Sequence, residues 1–306
     1  MMRIDGHCDS VYHLFNHKTL DTIPEAHLDF ERLQQYLDVS FFALCTELPE
    51  HAGKETETFD FLLNALVQDI EEQGDWLEIL TNKRQLIDAR HTMIVIGAEG
   101  AGCLGRGAEN LLRWYEAGLR FVGLTWNPDN RFAGGCAGGG ALTQEGRELV
   151  QNCNDLGILI DASHISPKSF WQLADFAPMP FVMSHTCCAA LNPHPGPYPR
   201  NIDDDQLRAM AELGGVVGIT FVPDFLGSPA TIDRICEHVE HAAEIMGIDH
   251  VALGSDFDGA PMPDGMAGVQ SLPLVYEGLA ARGFSERDIC RVAGDNLRDL
   301  LRRVLP

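Results

Sequence analysis

The chain has 306 residues, 45% of them hydrophobic, and a formal net charge of −23 at pH 7. That length and apolar content allow a full buried core, and no linker-like stretch divides the chain, so one α/β domain spanning residues 1–306 is expected. The acidic balance opposes nucleic acid and anionic membrane as partners and suits a protein that stays dispersed.

The chain enters an apolar run within a few residues, with no basic stretch and no small-residue cleavage site before it. No run of about eighteen apolar residues follows, so the expectation is a soluble cytoplasmic protein. Eight apolar runs succeed one another, at residues 2–6, 40–45, 93–98, 119–125, 157–161, 180–184, 215–221 and 250–255. Most are separated by helix-like segments. Residues 231–239 carry apolar side chains at spacings of three and four that continue through Ala242, Ile245 and Met246. Thr143 suits an N-cap, and Asp204 and Gln206 open a further helix.

Strands alternating with helices imply parallel pairing through right-handed crossovers, and eight repeats predict a closed (β/α)8 TIM-type barrel. A doubly wound open sheet is the alternative, but it gathers ligands at one switch point. Residues 46–91 form an enlarged excursion, with a helix over Phe59 to Ile70 and a short apolar run from Leu77 to Leu80, read as a peripheral ribbon or lid. The glycine-rich stretch 134–140 lacks the Gly-Lys-Ser/Thr ending of a phosphate cradle and is expected to be a flexible substrate-side loop. The proline-rich stretch 192–199 reads as a wall of the site, with His194 a loop residue.

Five metal-type ligands sit where apolar runs stop: His7, Asp9, Glu99, His164 and His185. His7 and Asp9 are two apart, so an extended backbone projects both to one face and sends Cys8 to the other. Such scattered positions converge only if the strand ends share a rim, which favours the barrel. The nine cysteines are odd in number and lack a C-x-x-C pair, so a disulfide framework is not expected. Cys187 and Cys188 follow His185 closely enough to reach the site, but packing is their expected role.

Five ligands exceed the three protein ligands of a single catalytic zinc, so two ions sharing a carboxylate fit better. Glu99 is the bridging candidate, with His7 and Asp9 on one ion and His164 and His185 on the other. A hydroxide held between two ions is a ready nucleophile near neutral pH, and hydrolysis follows as the expected chemistry. In Gly254-Ser255-Asp256-Phe257-Asp258-Gly259, a carboxylate at the rim could take and return a proton. Asp256 is nearer the strand end than Asp258. A helix-capping aspartate is the bland alternative.

These residues resemble the membrane (renal) dipeptidases, zinc hydrolases of the metal-dependent amidohydrolase superfamily. Asp5-Gly6-His7-Cys8-Asp9 is similar to that family's Asp-Gly-His-Asn-Asp, Glu99-Gly100 to its Glu-Gly, and Ser163-His164 and Ser184-His185 to its two Ser-His pairs. Arg200-Asn201 and the Asp256 segment match further family motifs, and the resemblance runs in order along essentially the whole chain. It implies that Glu99 bridges two zinc ions, that Arg200 binds the substrate's C-terminal carboxylate, that Asp256 transfers a proton and that the protein is a homodimer. One departure stands out. Where the family reads Leu-Thr-His, this chain has Leu124-Thr125-Trp126-Asn127. An indole N–H donates one hydrogen bond but carries no charge, so Trp126 is expected to shape the substrate pocket, with Asn127 or zinc polarising the carbonyl.

The leading expectation is a zinc dipeptidase cleaving short peptides with a free carboxylate. The alternatives are an amidohydrolase of N-acyl amino acids, lactams or cyclic amides, and a metal-binding homologue weakened by Trp126. A dipeptide and its N-acetylated form separate the first two.

Overall fold

The computed structural model describes residues 2–88, 90–105 and 108–306, so Ala89 of the expected 46–91 excursion lies outside the described residues. Among the described residues nine strands form: β1 (Ile4–Cys8), β2 (Val39–Cys45), β3 (Leu77–Ile79), β4 (Thr92–Glu99), β5 (Leu119–Gly123), β6 (Leu159–Asp161), β7 (Val182–Thr186), β8 (Val216–Ile219) and β9 (Val251–Leu253). Eight run in parallel in the order β1-β2-β4-β5-β6-β7-β8-β9. A parallel bridge between Cys8 and Phe257 brings the last strand back to the first, with the Asp9 amide donating to Phe257 O at 2.8 Å and the Asp256 amide to His7 O at 3.0 Å. This is the expected TIM-type barrel, and each of the eight expected runs overlaps one of its strands.

The excursion is peripheral and carries the expected helix, but its apolar run is an added strand of the sheet, not a ribbon or lid. It folds into the helix Glu55–Glu72 and β3, which pairs with Thr92–Ile94 at the start of β4, remote from Glu99 at that strand's other end. Leu77 to Leu80 is apolar because it extends the sheet. Leu48, Glu50 and His51, at the head of the excursion, do reach the cavity described below.

The crossover helices begin at residues that satisfy orphan N–H groups. Thr143 accepts from Gly146 N, Thr231 from Arg234 N, and Asp203, one residue before the expected opening, forms a reciprocal capping box with Gln206. Among the described residues no helix is long and apolar enough to cross a membrane.

Two apolar layers follow from strand alternation. On β4, Met93 and Val95 pack inside the barrel with Phe41, Phe121 and Leu297, while Ile94 and Ile96 pack outward against the helices. Continuing the inward parity along β4 places Gly97 and then Glu99 within the barrel. Gly97 is required there, because a Cβ would meet the Phe121 ring at 2.2 Å. On β1, a register shift between Asp5 and Cys8 reverses the parity, so Ile4 packs inward and Cys8 outward. His7 therefore faces the interior beside Glu99.

Candidate active site

The five ligand candidates converge at the C-terminal rim. His7 Nε2 lies 3.6 Å from both Asp9 Oδ2 and Glu99 Oε1, and Glu99 Oε1 lies 2.8 Å from His164 Nε2 and 3.6 Å from His185 Nε2. Glu99 thus stands between two halves, His7 with Asp9 on one side and His164 with His185 on the other. All five are buried.

The hydrogen bonds behind the imidazoles assign their tautomers. Asn127 Oδ1, 2.9 Å from His164 Nδ1, can only accept. Ser184 Oγ donates to Asp161 Oδ2 at 2.5 Å, so it accepts from His7 Nδ1 at 3.1 Å and His185 Nδ1 at 2.9 Å. In the neutral imidazoles all three Nε2 lone pairs then point into the cluster, and those of His164 and His185 face each other at 2.9 Å. Lone pairs aimed at one another repel unless a cation lies near them. His7 Nε2 and Asp9 Oδ1 are buried without a hydrogen-bond partner. This donor set of imidazole and carboxylate fits borderline divalent ions.

Electrostatics agree. Burial works against a charged His7, but Glu99, Asp9 and Asp256 outweigh it and push its pKa up to about 10. Burial and the neighbouring Glu99 push Asp9 up as well, whereas burial holds His164 and His185 below the usual histidine range, aided by Arg200. Burial also opposes ionisation of Glu99, but His7, His164 and Arg200 hold its pKa down to about 2. A cluster that draws a proton onto His7 is one that welcomes a metal cation in its place.

The two rim aspartates divide. Asp258 is occupied by structure, accepting from Ser10 Oγ at 2.5 Å, His27 N at 2.6 Å and Leu28 N at 3.2 Å. Asp256 has no hydrogen-bond donor on its carboxylate among the described residues, and its Oδ1 lies 3.9 Å from His7 Nε2. Its backbone φ of 64° is tolerated by aspartate and aims the side chain at the cluster. Gly259 leaves room for this, since a Cβ there would meet Asp9 Oδ2 at 2.1 Å and Asp256 Oδ1 at 2.4 Å.

A cavity of about 640 Å³ opens over the cluster, the size of a small-molecule site. Pro195, Gly196, Pro197 and Tyr198 line it, as expected of that loop, and exposed His194 does not. Trp126 lines it too, its ring centroid 6.3 Å from that of His164. Arg200 is buried in the wall, Nη1 donating to Ser163 O at 2.5 Å and Nη2 to His185 O at 3.3 Å, with Nε unpaired. No carboxylate among the described residues forms a salt bridge with it.

Asn127 lines the cavity, and its Oδ1, engaged by His164 Nδ1 and by Cys136 Sγ at 3.1 Å, orients a ligand candidate. The glycine-rich stretch is no flexible substrate-side loop. It is pinned by Asp129 Oδ1, which accepts from Gly135 N at 2.9 Å and Gly140 N at 3.1 Å, and by Cys136 N donating to His164 O at 2.8 Å. Cys187 and Cys188 bond weakly to the carbonyls of Thr220 and His238 and pack away from the cavity.

Sequence reasoning missed Asp161, Ser184 and Glu47 as site-supporting residues. The signal for the first two was present: Asp161 is a lone carboxylate closing an apolar strand, and each rim histidine follows a serine. Nothing comparable marked Glu47.

Residues 1–305 match the sequence model of the membrane dipeptidases, peptidase family M19. An uncharacterized protein in the pqqA 5' region of Klebsiella pneumoniae is 37% identical over 225 residues, 69% of this chain and 82% of that protein. An uncharacterized dipeptidase of Schizosaccharomyces pombe is 35% identical over 217 residues, 68% of this chain and 52% of its own. Among solved structures, the family M19 metallo peptidase dipeptidase AC superposes with a TM-score of 0.92 at 26% identity, over 100% of this chain and 99% of that one. A metallo peptidase from Rhodobacter sphaeroides, liganded with a phosphinate mimic of the dipeptide L-Ala-D-Ala, superposes with a TM-score of 0.91 at 25% identity, over 99% of each chain.

A parallel barrel with imidazoles and carboxylates gathered at its C-terminal rim defines a hydrolase of the metal-dependent barrel class. Within that class, this chain belongs to the membrane dipeptidase family, peptidase family M19.

Proposed function

We propose that this chain is a binuclear zinc dipeptidase that hydrolyses the peptide bond of short substrates bearing a free C-terminal carboxylate. The observation that carries the metal assignment is the convergence of three Nε2 lone pairs with Asp9 and Glu99, His7 Nε2 and Asp9 Oδ1 lacking any other partner. His7 and Asp9 would hold one ion, His164 and His185 the other, and Glu99 both. Bound there, divalent metal supplies the acidified water and the carbonyl polarisation that peptide hydrolysis needs.

The chain's own groups supply the rest. Arg200 receives the substrate carboxylate, supported by its burial in the cavity wall without an acidic partner and by its unpaired Nε. A substrate so held would present its scissile bond to the cluster, at whose edge Arg200 Nη2 lies 3.2 Å from His164 Nε2. Asp256, with its carboxylate uncommitted beside His7, takes the proton released by the attacking water and returns it to the leaving amine. Trp126 and the 195–198 loop bound the space for substrate side chains. The dipeptide mimic held by the Rhodobacter sphaeroides relative supports a substrate of this size.

The test is turnover of zinc-loaded protein on a dipeptide library that includes D-residues at the C-terminal position, alongside N-acetylated counterparts. Cleavage of free dipeptides is expected. Preference for the N-acetylated forms would move the assignment to N-acyl amino acids.

A further inference from the structure

Behind the ligand cluster, one buried hydroxyl touches both of its halves. Ser184 Oγ lies 3.1 Å from His7 Nδ1, 2.9 Å from His185 Nδ1 and 2.5 Å from Asp161 Oδ2, and also 3.0 Å from Ser163 Oγ, whose proton goes to Asp161 Oδ1. Asp161 faces donors throughout, its Oδ1 accepting from Ser163 N at 3.0 Å, Ser163 Oγ at 2.6 Å and Ser184 N at 3.0 Å. The carboxylate is therefore the acceptor for the one proton that Ser184 has to give, in a short charge-assisted bond. Both lone pairs of the hydroxyl are then left for the two imidazoles, and its hydrogen-bonding capacity is filled. A register shift in β7 between Met183 and Thr186 brackets this serine.

We infer that Ser184 is a positioning residue shared by the two metal pockets. Through one hydroxyl, polarised by Asp161, it sets the ring orientation and the Nδ1–H tautomer of one imidazole from each half. The inference rests on the two-ion reading above. It separates Ser184 from Asn127, which holds only His164 and so serves one half. Partners of this kind, one step behind a ligand, contribute about 10- to 100-fold to metal affinity. A shared one should make itself felt at both ions.

The experiment strips the full-length protein of metal and titrates zinc against a chromogenic chelator, for the wild type, Ser184→Ala, Asp161→Asn and Asn127→Ala. Two ions are expected on the wild type. Ser184→Ala should weaken both by about 10- to 100-fold, and Asn127→Ala chiefly one. Asp161→Asn keeps the local shape but no longer compels the Ser184 proton away from the imidazoles, and it too should weaken both ions. It carries the test if Ser184→Ala does not fold. In zinc-loaded wild type, nitrogen-15 spectra should show protonated Nδ1 on His7 and His185 in slow exchange with water, and Ser184→Ala should speed that exchange. A purely structural serine would lower thermal stability without moving either readout.

A wild type holding a single ion would defeat the two-ion reading itself. A wild type holding two, with Ser184→Ala or its Asp161→Asn substitute weakening one or neither, would overturn the shared role alone.

Discussion

Glu47 and Trp126 are joined across the rim, the Trp126 amide donating to Glu47 Oε2 at 2.9 Å while Glu47 Oε1 accepts from Gly102 N at 2.6 Å and Asn130 Nδ2 at 2.7 Å. One carboxylate thereby ties the loop after β2 to the turn that follows Glu99 and to the segment carrying Trp126 and Asn127. Burial raises its pKa, and the donors around it work in the opposite direction. Gly100 and Gly102 wrap it closely, since a Cβ at either would meet the Glu47 side chain at 2.6 or 2.4 Å.

Replacing Glu47 with glutamine tests that tie at nearly constant volume. The amide oxygen can serve one side, but its NH2 then faces an N–H donor, and a half-buried donor left without an acceptor costs about 1–3 kcal/mol. Glu47→Gln should shift the denaturation midpoint by that amount and lower kcat/KM on dipeptides through the displaced Trp126 segment. Unchanged stability and unchanged kinetics together would show that the three loops are held by other means.

Arg200→Met should raise KM strongly for a dipeptide and change little for its C-terminally amidated analogue, because only the former presents a carboxylate to the guanidinium. Metal content should be checked in parallel, since Nη2 lies 3.2 Å from His164 Nε2. Equal losses on both substrates, with metal retained, would rule out carboxylate recognition by this residue.

The metal-free cluster makes a prediction about pH. His7, raised to about 10, carries a proton at neutral pH that an incoming ion must displace, while His164 and His185, held below the usual range, are already neutral. The proton is bound in the free protein and absent from the complex, so affinity must rise with pH. Zinc affinity should increase about tenfold per pH unit for each proton displaced, from near neutrality until pH approaches 10. Measured affinities independent of pH between 6.5 and 8.5, roughly the range above a free histidine's pKa, would contradict the proton on His7.

The barrel and the five ligand candidates were legible in the sequence because both depend on strand ends. An apolar run that stops at His7, Glu99, His164 or His185 announces itself residue by residue. Asp161 and Ser184 left a signal at their strand ends, but Glu47 acts through partners far away in sequence, Asp5 likewise accepting from Ser255 N at 2.8 Å across the barrel seam, and composition carries no trace of such pairings. The glycine-rich stretch misled for a related reason. Gly134 and Gly135 are small because Gly140 and the Asn127 carbonyl press against them, with a Cβ meeting those atoms at 2.1 and 2.3 Å. Glycine demanded by close packing and glycine supplied for freedom read alike in a sequence. Leu77 to Leu80 posed the same ambiguity between a ribbon and an added strand, resolved only by its pairing with β4.

Trp126, which the motif resemblance sets where the family reads histidine, has a ring N–H without a partner among the described residues, and its face borders the cavity. If it is a wall, Trp126→Ala should change which substrate side chains are accepted, and turnover of a small dipeptide should persist within several-fold, because binding energy from remote contacts is what the ring supplies. If its N–H is an oxyanion donor, removal should instead cost about a hundredfold or more in kcat on every substrate. The wall is the expected outcome, since an indole cannot take on the charge that an imidazole could lend a developing oxyanion. Kinetics on glycine-rich and aromatic dipeptides, with zinc content and melting temperature measured beside them, separate the two. A uniform hundredfold loss at constant metal content would assign the indole a direct part in the chemistry.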